Sequence, residues 1–365
     1  MTHSVSSDMA RIFSGLSMQE RERLKNSTLL FTGGAGFLGY YFLSFLTTYR
    51  KELHIKKVIC LDNFQSGYPA WLQSLCSDDG VELHNFNVIA DDIASIPDIG
   101  HVDYVFHMAS IASPHFYRQY PIETLDANVG GLRKLLDFYK DKPLKKLVFF
   151  SSSEIYGDPD AQHIPTPEAY RGYVDCQGPR ACYDEAKRFG ETMCYLFHQK
   201  YGMPITIIRP FNNYGPGMRL NDARVPADFA NAIRLNRDIE ILSDGSPTRT
   251  FCYISDAVTG YLKCLLYTGS AFETFNIGSD GPEISIRQLA EIYAKAGAEL
   301  FGYTGQIRFA VSPDKNYLNN NPSRRCPDIS KARRLLHYAP QIDVTVGVSR
   351  YLEYIKENME GKLTW

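Results

Sequence analysis

Through the first part of the chain, short apolar runs alternate with longer stretches in which apolar positions recur three or four residues apart. The runs lie near 28–33, 57–61, 81–88, 103–108, 146–151 and 204–209 and predict strands, with helices between most of them. Such alternation indicates a parallel sheet covered on both faces, and in sheets of that kind ligands collect at the carboxyl ends of the strands. The most regular helical stretch follows Pro121, where Ile122, Leu125, Val129, Leu132, Leu136 and Tyr139 make one continuous apolar stripe. That stripe predicts a helix facing the core; its second reading is a subunit interface.

Beyond Arg209 the alternation breaks up, with Pro210, Gly215, Pro216 and Gly217 close together and shorter elements after them. Ser285 with Gln288 three residues on makes a capping box that starts a helix, another helix follows Asp328, and 273–277 reads as a strand returning to the main sheet. The predicted architecture is α/β, a Rossmann-like doubly wound parallel sheet over 27–209 rejoined by about 251–278. A smaller C-terminal substrate-binding lobe comes from 210–250 and 279–365. Residues 1–26 are polar, without an apolar segment of signal-peptide length, and read as an N-terminal extension with a flexible start and a short surface helix.

Composition narrows the function. The 365 residues, 44% hydrophobic and 22% charged, can bury a large core. A net charge of −2 provides no field to gather nucleic acid or an anionic membrane, which argues against both as partners. Eight cysteines without a C-x-x-C pair and nine histidines without ligand spacing predict reduced thiols and no metal. No run approaches membrane-spanning length, and a soluble, cytoplasmic protein is expected.

Candidate chemistry begins in Leu29 to Gly39, an apolar run that breaks into four glycines and resumes as a helical pattern. Gly34, Gly36 and Gly39 fit G-x-G-x-x-G, and Gly33, Gly36 and Gly39 fit the looser G-x-x-G-x-x-G. Glycines there permit a tight turn, let main-chain N–H groups approach a diphosphate, and let the helix pack closely on the strand. A second apolar run ends in Asp62, 23 residues beyond Gly39, where an acid that holds an adenosine ribose is expected. That acid repels a 2′-phosphate and no arginine follows it directly, so the pattern predicts NAD rather than NADP.

Tyr183 and Lys187 form the single Tyr-x-x-x-Lys among 24 tyrosines, in a helical stretch that Gly202 can end, so both side chains share one face. A nearby ammonium favours a phenolate and makes Tyr183 a candidate base. The strand at 146–150 runs into Ser151, Ser152, Ser153 and Glu154 at a carboxyl end of the sheet. Together these residues describe hydride removal from an alcohol: Ser152 and Tyr183 hold the oxygen, Tyr183 takes the proton and NAD takes the hydride. Glu154 is placed to reach a sugar.

With these pieces, Asn128, His107 to Ser110, Arg209 to Pro216 and Phe275 to Gly278, the chain resembles the extended short-chain dehydrogenase/reductases, specifically the nucleotide-sugar epimerases, dehydratases and decarboxylases, over roughly 27–355. The resemblance implies NAD held by Gly33, Gly36, Phe37, Leu38, Gly39, Asp62, Asn63, Gly67, Asn87, Val88, Ala109, Tyr183 and Lys187, with Ser152 and Glu154 completing the catalytic set. It also implies a homodimer. Ala112 to Pro114, Gly178 to Glu185, Asn221 to Val225 and Arg325 to Ile329 are most similar to the UDP-glucuronate decarboxylases, which places Asn212, Arg224, Arg249 and Arg325 around a nucleotide sugar, with a UDP-sugar as substrate. Gly217 departs from an arginine usual there, with Arg219 two places on; Glu123 replaces a common lysine, and Asn87 an aspartate. A 4,6-dehydratase, a C4 epimerase and a non-catalytic scaffold are the alternatives, and retention of Ser152, Tyr183 and Lys187 speaks against the last.

Overall fold

The computed structural model describes residues 2–77 and 80–359. Its strands are β1 (Thr28–Thr32), β2 (Lys57–Asp62), β3 (Val81–Asn85), β4 (Tyr104–His107), β5 (Lys146–Phe150), β6 (Ile205–Pro210), β7 (Asn213–Tyr214), β8 (Ile239–Ile241), β9 (Thr248–Arg249), β10 (Cys252–Tyr253) and β11 (Phe272–Ile277), with minor ones after them. Seven of these form one parallel sheet in the order β11-β6-β5-β4-β1-β2-β3. The order reverses at β1, between β2 and β4, and that reversal opens a crevice at the carboxyl ends.

The inner strands are largely apolar because both faces are covered. Leu29 and Phe31 enter one core with Val58, Cys60, Phe106, Val148 and Phe150, whereas Leu30 enters the other with Ile59, Leu61, Val105, Leu147 and Phe149. Each such side chain contributes about 2 kcal/mol by leaving water. The covering helices are α1 (His3–Gly15), α2 (Met18–Leu24), α3 (Phe37–Tyr49), α4 (Ala70–Leu75), α5 (Pro114–Gln119), α6 (Pro121–Asp126), α7 (Leu132–Tyr139), α8 (Ala181–Tyr201), α9 (Val225–Arg234), α10 (Ile254–Leu266), α11 (Ile286–Phe301), α12 (Ser330–Leu336) and α13 (Val344–Met359). The lobe is built on α9, α11 and α13, and α11 starts from the reciprocal bonds of Ser285 and Gln288, at 2.8 and 3.1 Å. Among the described residues no helix is long and apolar enough to cross a membrane, and all eight cysteines are free thiols.

Two expectations change. The stripe after Pro121 is not one helix: residues 127–131 form a π turn between α6 and α7. The wider turn rotates the face, so Leu132, Leu136 and Tyr139 are buried whereas Ile122 is 66% and Leu125 43% exposed. The core-facing reading therefore holds for α7 and fails for α6.

The second change is at the N-terminus. In place of a flexible start, α1 buries Val5, Met9 and Ile12 against α3, α10 and α13. These apolar residues recur three or four apart, which makes a narrow stripe. Asp8, fully buried, accepts hydrogen bonds from the Tyr41 hydroxyl at 2.9 Å, the Tyr253 hydroxyl at 2.7 Å and Arg350 Nη1 at 2.7 Å. One carboxylate thus joins the extension, α3, β10 and α13.

Asp8→Ala leaves two buried hydroxyls and a guanidinium without their acceptor. Urea unfolding is expected to show a loss of about 3 kcal/mol, with a smaller loss for Asp8→Asn, which keeps an acceptor.

Candidate active site

The carboxyl ends of the strands face a cleft of about 920 Å³ between the sheet and the lobe. At its near end β1 turns into α3. Gly33 there has φ +75°, and a Cβ on it would stand 2.7 Å from the Ala109 backbone. A Cβ on Gly39 would stand 2.0 Å from the Gly34 carbonyl, so helix and turn touch backbone to backbone. On Gly36, by contrast, a Cβ meets within 4 Å only the Gly33 carbonyl at 3.4 Å. The turn therefore presents open backbone to the cleft at the start of α3, where no side chain caps the helix. Exposed N–H groups and the helix dipole there suit a diphosphate.

Asp62 closes this end. Its carboxylate accepts from Ala35 N at 2.9 Å and Phe64 N at 2.8 Å, yet burial still raises its pKa. Phe37, Leu38, Asn63, Gly67, Asn87, Val88 and Ala109 line the same end of the cleft. Asn87 folds its own turn, its Oδ1 accepting from Ile89 N at 2.9 Å. Gly34 and Gly39 of the glycine pattern do not border the cleft; Gly39 packs beneath the turn.

Farther in, Ser152 follows β5 and Tyr183 and Lys187 come from α8. Ser152 accepts the Glu154 N–H at 3.2 Å and hydrogen-bonds with the Tyr183 side chain. Tyr183 stacks on Tyr117 with ring centres 5.1 Å apart and planes 11° from parallel. Burial pushes its hydroxyl up to about 12, against the lowering effects of Ser152 and the Arg224 charge. Lys187 Nζ donates to the Phe150 carbonyl at 2.7 Å and lies 5.5 Å from the centre of the Tyr183 ring. Burial lowers its ammonium to about 7. Burial therefore works against the activation of the tyrosine by a close ammonium, raising the one group and lowering the other.

The lobe side of the cleft is a cage of arginines. Glu154, which follows Ser152 by two residues, is gripped by Arg180 and by both terminal nitrogens of Arg325, the Nη2 bond measuring 2.6 Å. Burial by itself raises the Glu154 carboxyl, but the Arg180 and Arg325 charges outweigh it and hold it well below the usual carboxylate range. Glu154 is thus an ion-pair partner rather than a free base. Arg180 also reaches Asp184 at 3.4 Å, and burial, with the Glu154 charge, pushes that acid up to about 7. Arg249 donates to the carbonyls of Thr248, Pro322 and Ser323 at 2.7, 2.5 and 3.2 Å, and Arg224 forks onto Asp222. Asn212 donates to the Thr250 carbonyl at 2.9 Å and lines the cleft with these arginines.

Sequence reasoning did not assign Arg180 or Tyr117. Arg180 stood in a recognised word, but nothing local shows that it meets Glu154, 26 residues earlier. The departures are also accommodated. Gly217 has φ +83°, and a Cβ there would lie 2.3 Å from the Tyr40 ring, so an arginine does not fit. Glu123 is exposed on α6, outside the cleft. Among the described residues no group of three His, Cys, Asp or Glu side chains is placed to hold a metal ion.

A dinucleotide turn facing a serine, a tyrosine and a lysine defines a redox enzyme. The model of the NAD dependent epimerase/dehydratase family matches residues 29–278, and the chain belongs to that family. Its cofactor is NAD. More narrowly, it is similar to UDP-glucuronic acid decarboxylase 1 of Xenopus tropicalis, 34% identical over 345 residues, covering 94% of this chain and 75% of that one. UDP-glucuronic acid decarboxylase 3 of Arabidopsis thaliana is 35% identical over 325 residues, covering 88% and 87%. The solved UDP-glucuronic acid 4-epimerase of Bacillus cereus in complex with NAD superposes with a TM-score of 0.75 at 25% identity, covering 93% of this chain and 99% of that one.

Because the folded Glu154 carboxyl lies below its ordinary value of 4.5, the stability it contributes is complete above that pH and is lost as acidification approaches the folded value. Glu154→Gln leaves two guanidiniums without their counter-ion and is expected to cost about 3 kcal/mol at neutral pH. Urea titrations from about pH 7 to about pH 3 should show the gap between wild type and variant narrowing. A constant gap would remove the ion pair as its source.

Proposed function

We propose that this enzyme converts a nucleotide sugar through a C4-keto intermediate, and specifically that it decarboxylates UDP-glucuronate to UDP-xylose. The observation that carries the reading is the cage of Arg180 and Arg325, which already holds one carboxylate beside Ser152 and Tyr183. A second carboxylate, that of a uronate, suits the same guanidinium forks. The similarity to two UDP-glucuronic acid decarboxylases supports it. A 4,6-dehydratase needs a base for the sugar C5 proton, and Glu154, ion-paired and held deprotonated at low pKa, is poorly suited to accept one.

In this reading Ser152 and Tyr183 hold the C4 hydroxyl, and Tyr183, acting as its phenolate, takes the proton. NAD supplies the hydride acceptor and donor. A ketone at C4 stands beta to the C5 carboxylate, so the C5–carboxylate bond breaks with loss of carbon dioxide and its electron pair forms an enolate. Ser152 and Tyr183 stabilise the enolate oxygen, with the Arg224 charge close behind Tyr183. A proton drawn from solvent is added at C5, and the hydride returns to C4 as Tyr183 gives its proton back to the C4 oxygen, which regenerates the phenolate and completes the cycle. Glu154 orients Arg180 and Arg325 toward the sugar, and Asn212, Arg224 and Arg249 face the nucleotide end.

Incubation with UDP-glucuronate should release carbon dioxide and give a pentose product by NMR. Tyr183→Phe should lower kcat about a thousandfold with little change in UDP binding. Absence of carbon dioxide release, with a 4-keto-6-deoxy product from a nucleotide hexose, would transfer the enzyme to the dehydratases.

We also propose a homodimer through α6 and α8. Ile122 and Leu125 on one helix, with Phe189 and Leu196 on the other at 53% and 55% exposure, make an apolar face outside the core. Leu125→Lys combined with Leu196→Lys should shift the mass measured by light scattering from dimer to monomer. A wild-type chain that elutes as a monomer would refute the dimer.

A further inference from the structure

Two buried acids share one guanidinium beside the catalytic hydroxyls. Arg180 donates from Nη2 to Glu154 and from Nε to Asp184 Oδ2, the second bond measuring 3.4 Å. Glu154 has the better share, because both terminal nitrogens of Arg325 bond it as well. Asp184, 5% exposed in the first turn of α8, keeps only the long Arg180 contact, and its Oδ1 has no hydrogen-bond partner among the described residues. It does not border the cleft, so it reaches a substrate only through Arg180, which does. Its titratable and charged neighbours are Glu154 from the loop after β5, Arg325 from the lobe, Tyr117 from α5, and Arg180, Cys182 and Tyr183 from its own stretch of chain.

The balance of charge defines what such an acid does. With both acids ionised, Glu154 and Asp184 cancel Arg180 and Arg325. A uronate carboxylate that enters then adds a negative charge without a counter-ion to a buried site, which is costly. With Asp184 protonated the four groups carry one positive charge, and the same carboxylate neutralises it. Arg249, whose guanidinium is coupled to the Glu154 charge, faces the nucleotide's own charges in this reading. Of the two acids Asp184 is the one that accepts the proton. Glu154 is held ionised by two guanidiniums, whereas burial and the Glu154 charge already push Asp184 up to about 7. Another carboxylate beside Arg180 pushes it further the same way.

We propose that Asp184 is a positioning residue that sets the charge of the arginine cage: its carboxylate takes a proton from solvent as a uronate carboxylate enters, and Arg180 is thereby freed of one of its two counter-charges for the substrate. The bond made is O–H on Asp184, and nothing is oxidised or reduced. When the substrate carboxylate departs as carbon dioxide, its charge leaves the cage and Asp184 returns the proton to solvent. The proposal rests on the uronate reading of the cage.

The test is calorimetric titration of UDP-glucuronate, and of UDP-xylose, which lacks only the carboxylate, into full-length NAD-bound Tyr183→Phe protein with and without Asp184→Asn. Tyr183→Phe suppresses turnover during the titration, and buffers of different ionisation enthalpy count the protons exchanged. At about pH 8 UDP-glucuronate is expected to take up roughly 0.7 proton per site, and UDP-xylose close to none. From about pH 7 to about pH 9 the Kd for UDP-glucuronate should rise about tenfold, and should stay within about twofold once Asp184 is Asn, because an amide is neutral at every pH. Uptake confined to UDP-glucuronate and abolished by Asp184→Asn supports the assignment. No uptake, equal uptake for both sugars, or uptake that survives Asp184→Asn overturns it; should Asp184→Asn fail to fold, the comparison of the two sugars on Tyr183→Phe protein decides. Carbon dioxide release by the wild type separates the two ways of failing. Release without the uptake removes the role of Asp184 alone, whereas no release and no binding of UDP-glucuronate removes the uronate reading and this proposal with it.

Discussion

The grip of Arg180 and Arg325 on Glu154 is the interaction around which the catalytic end of the molecule is assembled. Its three members come from three places: the loop after β5, the start of α8, and the lobe. Burying three charges costs several kcal/mol each in lost hydration, and the cost is offset only when geometry and hydrogen bonding are good. Here the carboxylate oxygens meet guanidinium nitrogens directly, and Asp184 adds a second acid beside Arg180. The loop that carries Ser152, the helix that carries Tyr183 and the lobe are consequently held in one register. A site that must align two hydroxyls on one oxygen depends on that register, because misplacement by about 1 Å can cost a hundredfold in rate.

The same burial shapes the acid–base pair. Desolvation acts in opposite directions on a phenol and an ammonium, raising Tyr183 to about 12 and lowering Lys187 to about 7. Both groups are thereby biased toward their neutral forms. The tyrosine is left with a hydroxyl suited to hydrogen-bonding and to stabilising oxygen charge, while Ser152 and Arg224 set how far its proton can be drawn away. His107, a buried neighbour of the site, is pushed down to about 3 and stays neutral, its Nδ1 bonded to Thr32 Oγ1 at 2.8 Å. It supports strand pairing and takes no proton.

A second carboxylate does comparable work at the N-terminal extension. Asp8 fastens the N-terminal extension to α3, β10 and α13, and β10 pairs with β7 directly after Asn212. The extension is thereby part of the support for the lobe, since Tyr253 and Arg350 belong to the segments that frame it. Two buried acids, each satisfied by partners distant in sequence, brace the lobe.

Local chemistry carried much of this in the sequence. Continuous apolar runs specify strands, the glycines specify the turn at the end of β1, Asp62 marks the end of β2, and Tyr183 and Lys187 share a helix face, because each of these depends on residues within a few positions of one another. The alternation of strands and helices also makes the parallel sheet legible, and with it the end at which a site must form. What needed the folded chain were meetings between remote residues. The pairing of Glu154 with Arg325, the stacking of Tyr117 on Tyr183, the bond of Arg219 to the Ser66 carbonyl and the burial of Asp8 all join segments with no local signal of one another. The lowering of Lys187 by burial was decided there too, since spacing places two side chains together but only packing sets how much water surrounds them.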